Sequence, residues 1–228
     1  MALLDAQWQD GMIPHIVFRH NDPDYFPGPA IWDTNTEPPT SGHSQPPVLA
    51  SIIWRIVQMG TEYDKRKAIE VFPKLMAYHR WFSAARDPKN SGVISIIHPW
   101  ESGRDNCPDW DIGMRNIVVP DNLESYARRD TSHVDSDQRP TQEQYDRFIT
   151  IVKFGRECGW DNQTIHAEGP FLMADPGVQF IFLRASRDLL AMAQHLGMDM
   201  AVDEIRGWVD RVEAGSDFLW NEEVGGYC

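Results

Sequence analysis

Apolar residues recur at helical spacing in several stretches. Between 47 and 60, Ile52, Ile53, Ile56 and Val57 share one face, with Pro47 at the start and Gly60 at the end. Thr61 caps a second stretch running to about Arg86, and Pro73 inside it predicts a kink or a split. Thr141 and Gln144 form a capping box for a helix to about Cys158, with Tyr145, Phe148, Ile149, Ile151 and Val152 as its apolar set. Asp175-Pro176 supplies an N-cap and a first-turn proline for a helix ending at Gly197, and Asp199 caps a last one to about Trp220. Asp121 and Glu124 read as a capping box for a short helix. Residues 87–120 read as loop with one apolar run, Val93–Ile97, and the stretch 130–140 as polar and mobile. No useful alternation of strand type occurs, so the class is all-α.

The whole of 1–228 reads as one domain region, with an irregular segment 1–46 followed by helical hairpins over 47–228. Pro14, Pro23, Pro27, Pro29, Pro38, Pro39 and Pro46 are spaced as no helix interior tolerates, so the first segment looks irregular. Yet Trp8, Ile13, Ile16, Tyr25, Phe26 and Trp32 are threaded through it, which points to a folded functional loop rather than a linker. The rhythm from 141 to 222 is that of stacked αα-hairpins, which need a neighbour on both sides. The end, Glu222 to Cys228, reads as a turn into more chain.

Composition narrows the function. The chain has 228 residues and a net charge of -13, from 34 acidic and 21 basic residues. Such a balance disfavours nucleic acid and anionic membrane as partners. No apolar run reaches the roughly 20 residues of a membrane span. Cys107, Cys158 and Cys228 make no CxxC or CxxH spacing, so neither a zinc site nor a disulfide framework is indicated. With no signal-peptide pattern at the N-terminus, the expectation is a cytoplasmic protein without metal or cofactor. Nine Trp are the unusual item. Indoles pack cores, and they also stack on the C–H faces of sugars.

The densest polar–aromatic cluster is His98-Pro99-Trp100-Glu101-Ser102-Gly103-Arg104-Asp105-Asn106-Cys107-Pro108-Asp109-Trp110-Asp111. Carboxylates beside indoles in a dry site can hold and deliver protons, which is the chemistry of glycosidic cleavage. The competing reading is a solvated loop with Trp100 and Trp110 as packing anchors. No GxSxG, GxxxxGK[ST], HExxH or GxGxxG is present, and His15, His20, His43, His98 and His133 lie in loops, where surface or hydrogen-bonding roles suit them.

The segment 98–111 resembles the ESG-x-D-N-S-P-x-W-D signature of glucosylglycerate and mannosylglycerate hydrolases, related to family 63 of the glycoside hydrolases and more remotely to trehalases. Gly11-Met12-Ile13-Pro14-His15, Tyr25-Phe26-Pro27-Gly28-Pro29 and Ser44-Gln45-Pro46-Pro47 resemble further segments of the same clan. The resemblance implies a six-hairpin (α/α)6 barrel, of which this chain would be about half, and hydrolysis of an α-glycosidic bond with inversion. It assigns Asp105 as the general acid. Gln45, Trp100, Arg104 and Trp110 would shape the sugar subsite, and Arg139 and Tyr145 would grip an acidic aglycone, the guanidinium taking the carboxylate at two points. For Trp110 and Tyr145 core packing is the alternative, for Arg139 a surface charge, for Gln45 a cap before Pro46.

Two departures stand out. Cys107 occupies the place of the family's serine, and the family's general base, a later Glu, has no counterpart; Glu222 and Glu223 read as the end of a helix and are not promoted to it. The expectation is therefore a partial hydrolase, inactive or incomplete alone, whose small sugar substrate is a glycosyl-glycerate or disaccharide. Its exposed barrel seams, at about 25 cal/mol per Å² of apolar surface, would favour self-association. Alternatives are a trehalase-like or oligosaccharide-trimming α-glucosidase, and a non-catalytic helical sugar-binding fragment.

Overall fold

The computed structural model describes residues 2–20, 22, 25–128, 135 and 138–228. The stretch 130–140 lies outside them except for 135 and 138–140, and His133 lies outside them as well. In chain order the helices are α1 (Ala2–Asp5), α2 (Pro29–Trp32), α3 (Leu49–Met59), α4 (Glu62–Arg86), α5 (Asp111–Met114), α6 (Gln142–Glu157), α7 (Asn162–Glu168), α8 (Pro176–Leu196) and α9 (Asp199–Ser216). Strands are two residues long: β1 (Ser95–Ile96), β2 (Met173–Ala174), β3 (Trp220–Asn221) and β4 (Gly226–Tyr227). No helix among the described residues is long and apolar enough to cross a membrane.

The chain forms two compact units. One comprises Met1–Trp8, Ile13–Gln45 and Ile96–Met173; the other comprises Gln9–Met12, Pro46–Ser95 and Ala174–Cys228. The second is built on α3, α4, α8 and α9. Its core joins Ala50 and Val57 of α3, Phe72, Leu75 and Met76 of α4, Leu189 and Met192 of α8, and Ile205 and Trp208 of α9. Helix α4 runs without a break through Pro73, so of the kink or split the sequence suggests the split does not occur. A proline inside a helix costs about 3 kcal/mol, but burying Phe72, Leu75 and Met76 around it returns about 1.5–3 kcal/mol each. The buried stripe of α3 is also displaced from the expected one. Ala50 and Val57 face the core, whereas Ile52 and Ile56 are about half exposed. Helix α3 starts two residues beyond Pro47. Met198, not Asp199, is the N-cap of α9, and the helix stops at Ser216. Glu222 and Glu223 then sit in the turn of the β3–β4 hairpin, in which Trp220 pairs with Tyr227, rather than ending a helix.

Buried Gln179 of α8 ties this unit together. Its amide nitrogen donates to the carbonyl oxygens of Gly92 (2.7 Å) and Val212 (3.1 Å) and to Ser216 Oγ (3.1 Å). Its amide oxygen accepts from the Ile94 N–H at 2.7 Å.

The first unit is less helical and holds the motif-bearing loops. Helix α6 is its main support: the Thr141–Gln144 capping box is present, and Tyr145, Phe148, Ile149, Ile151 and Val152 are all buried. The helix expected after Asp121 does not form; a turn at 121–122 leads into irregular chain. Its polar residues reach α6 instead, Asn122 to Lys153 (3.2 Å), Glu124 to Arg156 (3.3 Å) and Tyr126 Oη to Asp146. Tertiary partners thus prevail over a local cap with no apolar stripe behind it.

A slot formed by two glycines locks the N-terminal loops of this unit. The Trp160 indole lies so close to Gly42 and Gly155 that a Cβ on either would fall 2.0 and 2.4 Å from ring atoms. The same indole donates through Nε1 to the Trp32 carbonyl at 2.9 Å.

Candidate active site

The site grows from two paired loops. The chain at 13–18 runs against 39–44: the His15 N–H donates to the His43 carbonyl (3.0 Å), Ser41 N–H to the Ile16 carbonyl (3.0 Å) and Phe18 N–H to the Pro39 carbonyl (2.8 Å). Ser44 Oγ donates to the Ile13 carbonyl at 2.6 Å. Glu101 binds this pair to the motif loop. Its buried carboxylate accepts the N–H of Ser44 at 3.2 Å and of Ile97 at 3.0 Å.

His98 orients the next residue that matters. Its Nδ1 accepts the Trp100 N–H at 3.0 Å, so the proton sits on Nε2 and is donated to the Phe148 carbonyl at 3.1 Å. Burial, with His43 adding to it, holds this imidazole well below the usual histidine range, so the ring is neutral. It stacks on the Trp100 indole with centroids 4.3 Å apart. Trp100 is thereby fixed from its backbone and from one ring face.

A cavity of about 330 Å³ opens against this scaffold, within the size range of small-molecule sites. Trp100, Trp32, Tyr25, Phe26 and Tyr145 provide its aromatic wall, and Asp105, Arg139 and His15 its ionisable groups. Asp105 is the one carboxylate among the described residues that line it. Arg139 Nη2 stands 3.9 Å from Asp105 Oδ2, with the two side chains 27% and 29% exposed. At that separation the two form an ion pair without a direct hydrogen bond between these atoms. With its amide turned to suit both neighbours, Asn106 donates to Asp105 Oδ2 (3.3 Å) and accepts from Arg139 Nη1 (3.2 Å).

Tyr145 is braced from several sides. The Arg128 guanidinium lies 4.5 Å from its ring centroid. Tyr126, stacked on Phe26 at 4.6 Å, sits 5.7 Å from it. The Tyr126 hydroxyl donates to Asp146, and burial together with that bond raises its pKa well above the ordinary phenol value.

Of the residues singled out from sequence, Asp105, Trp100, Arg139 and Tyr145 line this cavity, and the other three do not. Gln45 donates through Nε2 to the Trp100 carbonyl at 2.7 Å, so it holds the backbone that carries the indole. Arg104 points to solvent, paired with Asp109 (3.2 Å) and lying over the Trp110 ring (5.2 Å). Trp110 is buried, donating to the Arg104 carbonyl at 2.8 Å. It lines a second hollow of about 180 Å³ that shares Asp105 and Arg139 with the first. The Cys107 thiol donates to Asp109 Oδ2 at 3.0 Å.

His15, Tyr25, Phe26 and Trp32 reach the cavity without having been assigned a role from sequence. The first three lie in the Gly11–His15 and Tyr25–Pro29 segments, and Trp32 just beyond them, in a proline-rich stretch with no periodicity to read. No group of three or more His, Cys, Asp or Glu that could hold a metal occurs among the described residues.

Known proteins resemble this chain along its whole length. It is 43% identical over 232 residues to the mannosylglycerate hydrolase of Thermus thermophilus, covering 100% of this chain and 55% of that protein. It is 41% identical to mannosylglycerate hydrolase MGH1 of Selaginella moellendorffii, over 99% of this chain and 46% of the relative. The chain thus spans about half the length of the curated relatives it matches. Among solved structures, a family 63 mannosylglycerate hydrolase of Thermus thermophilus in complex with Tris superposes with a TM-score of 0.94 at 42% identity, covering 99% of this chain and 54% of that one. Its complex with Tris and D-glycerate gives 0.93 at the same identity and coverage. The fold is therefore that of the (α/α)6 barrels to which these neighbours belong, represented here by about half their length. With the model of the mannosylglycerate hydrolase MGH1-like glycoside hydrolase domain matching residues 1–228, the chain belongs to that glycoside hydrolase family.

Proposed function

We propose that the protein carrying this chain hydrolyses the α-glycosidic bond of a glycosylated glycerate, mannosylglycerate or glucosylglycerate, with inversion, and that Asp105 is its general acid. The observation that carries this reading is the placement of Asp105 and Arg139 3.9 Å apart on one aromatic cavity wall. In a glycerate glycosylated at its 2-hydroxyl, the glycosidic oxygen and the carboxylate sit on adjacent carbons. A proton donor for the oxygen and a cation for the carboxylate must then be close neighbours. The D-glycerate complex of the Thermus structure supports the same substrate class.

In this reading Arg139 takes the aglycone carboxylate and Tyr145 adds a contact. Trp100 stacks on the sugar, and the Asp105 proton passes to the departing oxygen as the C–O bond breaks. Inversion calls for a second carboxylate roughly 6.5–9.5 Å from the first to activate water, so the residues described here are assigned the acid step alone. The apolar side chains left exposed on α3 and α4, Ile52, Ile56, Met59 and Tyr63, support self-association of the chain as a further part of the proposal.

The test is Asp105→Asn in the whole protein, assayed on mannosylglycerate. Turnover should fall by about 10²–10⁴-fold with substrate binding retained. A variant that turns over like the parent would overturn the assignment.

A further inference from the structure

His15 opens on the cavity without belonging to the acid–cation pair. Its backbone N–H is held by the His43 carbonyl at 3.0 Å, and its ring stacks on the His43 ring at 5.4 Å with planes 19° apart. The ring therefore has a fixed orientation. In that orientation Nδ1 is buried and has no hydrogen-bond partner among the described residues. The nitrogen left to meet the cavity is Nε2.

A neutral imidazole carries one proton, on one nitrogen. On Nδ1 it would make a buried N–H with no acceptor, the rarer and costlier kind of orphan. On Nε2 it would face the cavity, where an oxygen of a bound ligand can accept it. Burial lowers the His15 pKa, with Asp105 and Glu101 opposing that fall without cancelling it, so the ring is neutral at neutral pH.

We infer that His15 is a sugar-binding residue of this cavity, donating a hydrogen bond from Nε2 to a hydroxyl oxygen of the bound glycosyl ring. A neutral donor suits a hydroxyl; the carboxylate end of the ligand already has a cation in Arg139. The inference rests on the cavity being the glycoside site, and it adds a residue whose place is set by the pairing of the 13–18 and 39–44 segments. Stacking on His43 positions the donor before the ligand arrives, which lowers the ordering cost of binding.

The tautomer is read directly by long-range ¹H–¹⁵N correlation of the imidazoles in the whole protein. The Nε2–H pattern is expected for His15, with its Nε2 signal moving when methyl α-mannopyranoside is added. Binding of the same glycoside is then measured calorimetrically in the Asp105→Asn background. His15→Phe keeps the stacked ring and loses the donor, and should weaken binding about tenfold, the equivalent of one hydrogen bond. His15→Gln restores a donor near Nε2 and should recover most of that loss. An Nδ1–H pattern, or a His15→Phe affinity equal to the parent's, sinks the inference while leaving the hydrolase reading intact. Absence of glycoside binding in the parent, together with normal turnover in Asp105→Asn, instead removes the reading of the cavity and the inference with it.

Discussion

Arg139 holds its guanidinium 3.9 Å from the Asp105 carboxylate, an ion pair set in the aromatic cavity.

On the proposed reading, that arrangement should separate a glycerate-bearing substrate from a neutral one. Arg139→Ala should lower kcat/KM for mannosylglycerate by about 10–100-fold, the worth of a charge-assisted contact. Hydrolysis of a neutral α-linked disaccharide such as trehalose should change much less. Parallel kinetics on the two substrates decide the matter, and equal losses would count against a glycerate aglycone.

Glu101 offers a different test, since it touches backbone rather than the cavity. Glu101→Gln turns one of its acceptor oxygens into an NH₂ group facing an N–H of Ser44 or Ile97. One buried donor then lacks its acceptor, at a cost of about 1–3 kcal/mol. The denaturant midpoint should fall accordingly. Because Gln45 adjoins Ser44 and holds the Trp100 carbonyl, activity should fall with it even below the unfolding midpoint.

His79 makes the second unit acid-sensitive. It is buried against Phe182 and Trp208, and burial pulls its pKa from 6.5 down to about 3. Above pH 6.5 the ring is neutral whether the chain is folded or not, and stability is unaffected. Below that pH the unfolded chain binds a proton that the folded one refuses, so stability falls with decreasing pH by up to about 1.4 kcal/mol per unit until the folded pKa is reached. Buried His98 acts in the same direction in the first unit. Replacing His79 by Phe should flatten the slope of unfolding free energy against pH between 6.5 and 4, measured by urea titration; an unchanged slope would contradict the assignment.

The exposed apolar face of α3 and α4 carries Ile52, Ile56, Met59 and Tyr63. If it drives self-association, the chain on its own should show a sedimentation coefficient that rises with concentration. Ile52→Lys with Ile56→Lys should abolish that rise while leaving the helical circular dichroism unchanged. A monomer at all concentrations would remove this part of the proposal.

The sequence was most legible where one local rule agreed with its surroundings. Helix α6 carries a capping box and a five-residue apolar stripe, and both are found where the pattern puts them. Helix α8 begins at Asp175-Pro176 and ends at Gly197 in the left-handed conformation that glycine allows. The reading failed where a local signal competed with a distant partner. Asp121 and Glu124 have the spacing of a cap, but Glu124 is drawn to Arg156. Pro73 could have split α4, and the core packed on either side of it keeps the helix continuous. Short α7 was missed, although Asp161 caps it through the Thr164 N–H.

The cavity was legible only in part for the same reason. Trp100 and Asp105 come from a dense motif that composition brings to notice. His15 meets His43 across a pairing of two proline-rich loops, a proximity that no periodicity encodes. Arg104 and Trp110 sit in the same motif as Asp105, yet they turn to one another instead of to the cavity.

The indole of Trp160 acts as a key between the loop that carries His43 and helix α6, since Gly42 lies on the loop and Gly155 on the helix. Neither glycine can gain a side chain unless the ring is made smaller, so variation at 42, 155 and 160 is bound together. The evolutionary freedom of the cavity wall is thus set partly by three positions that do not line it.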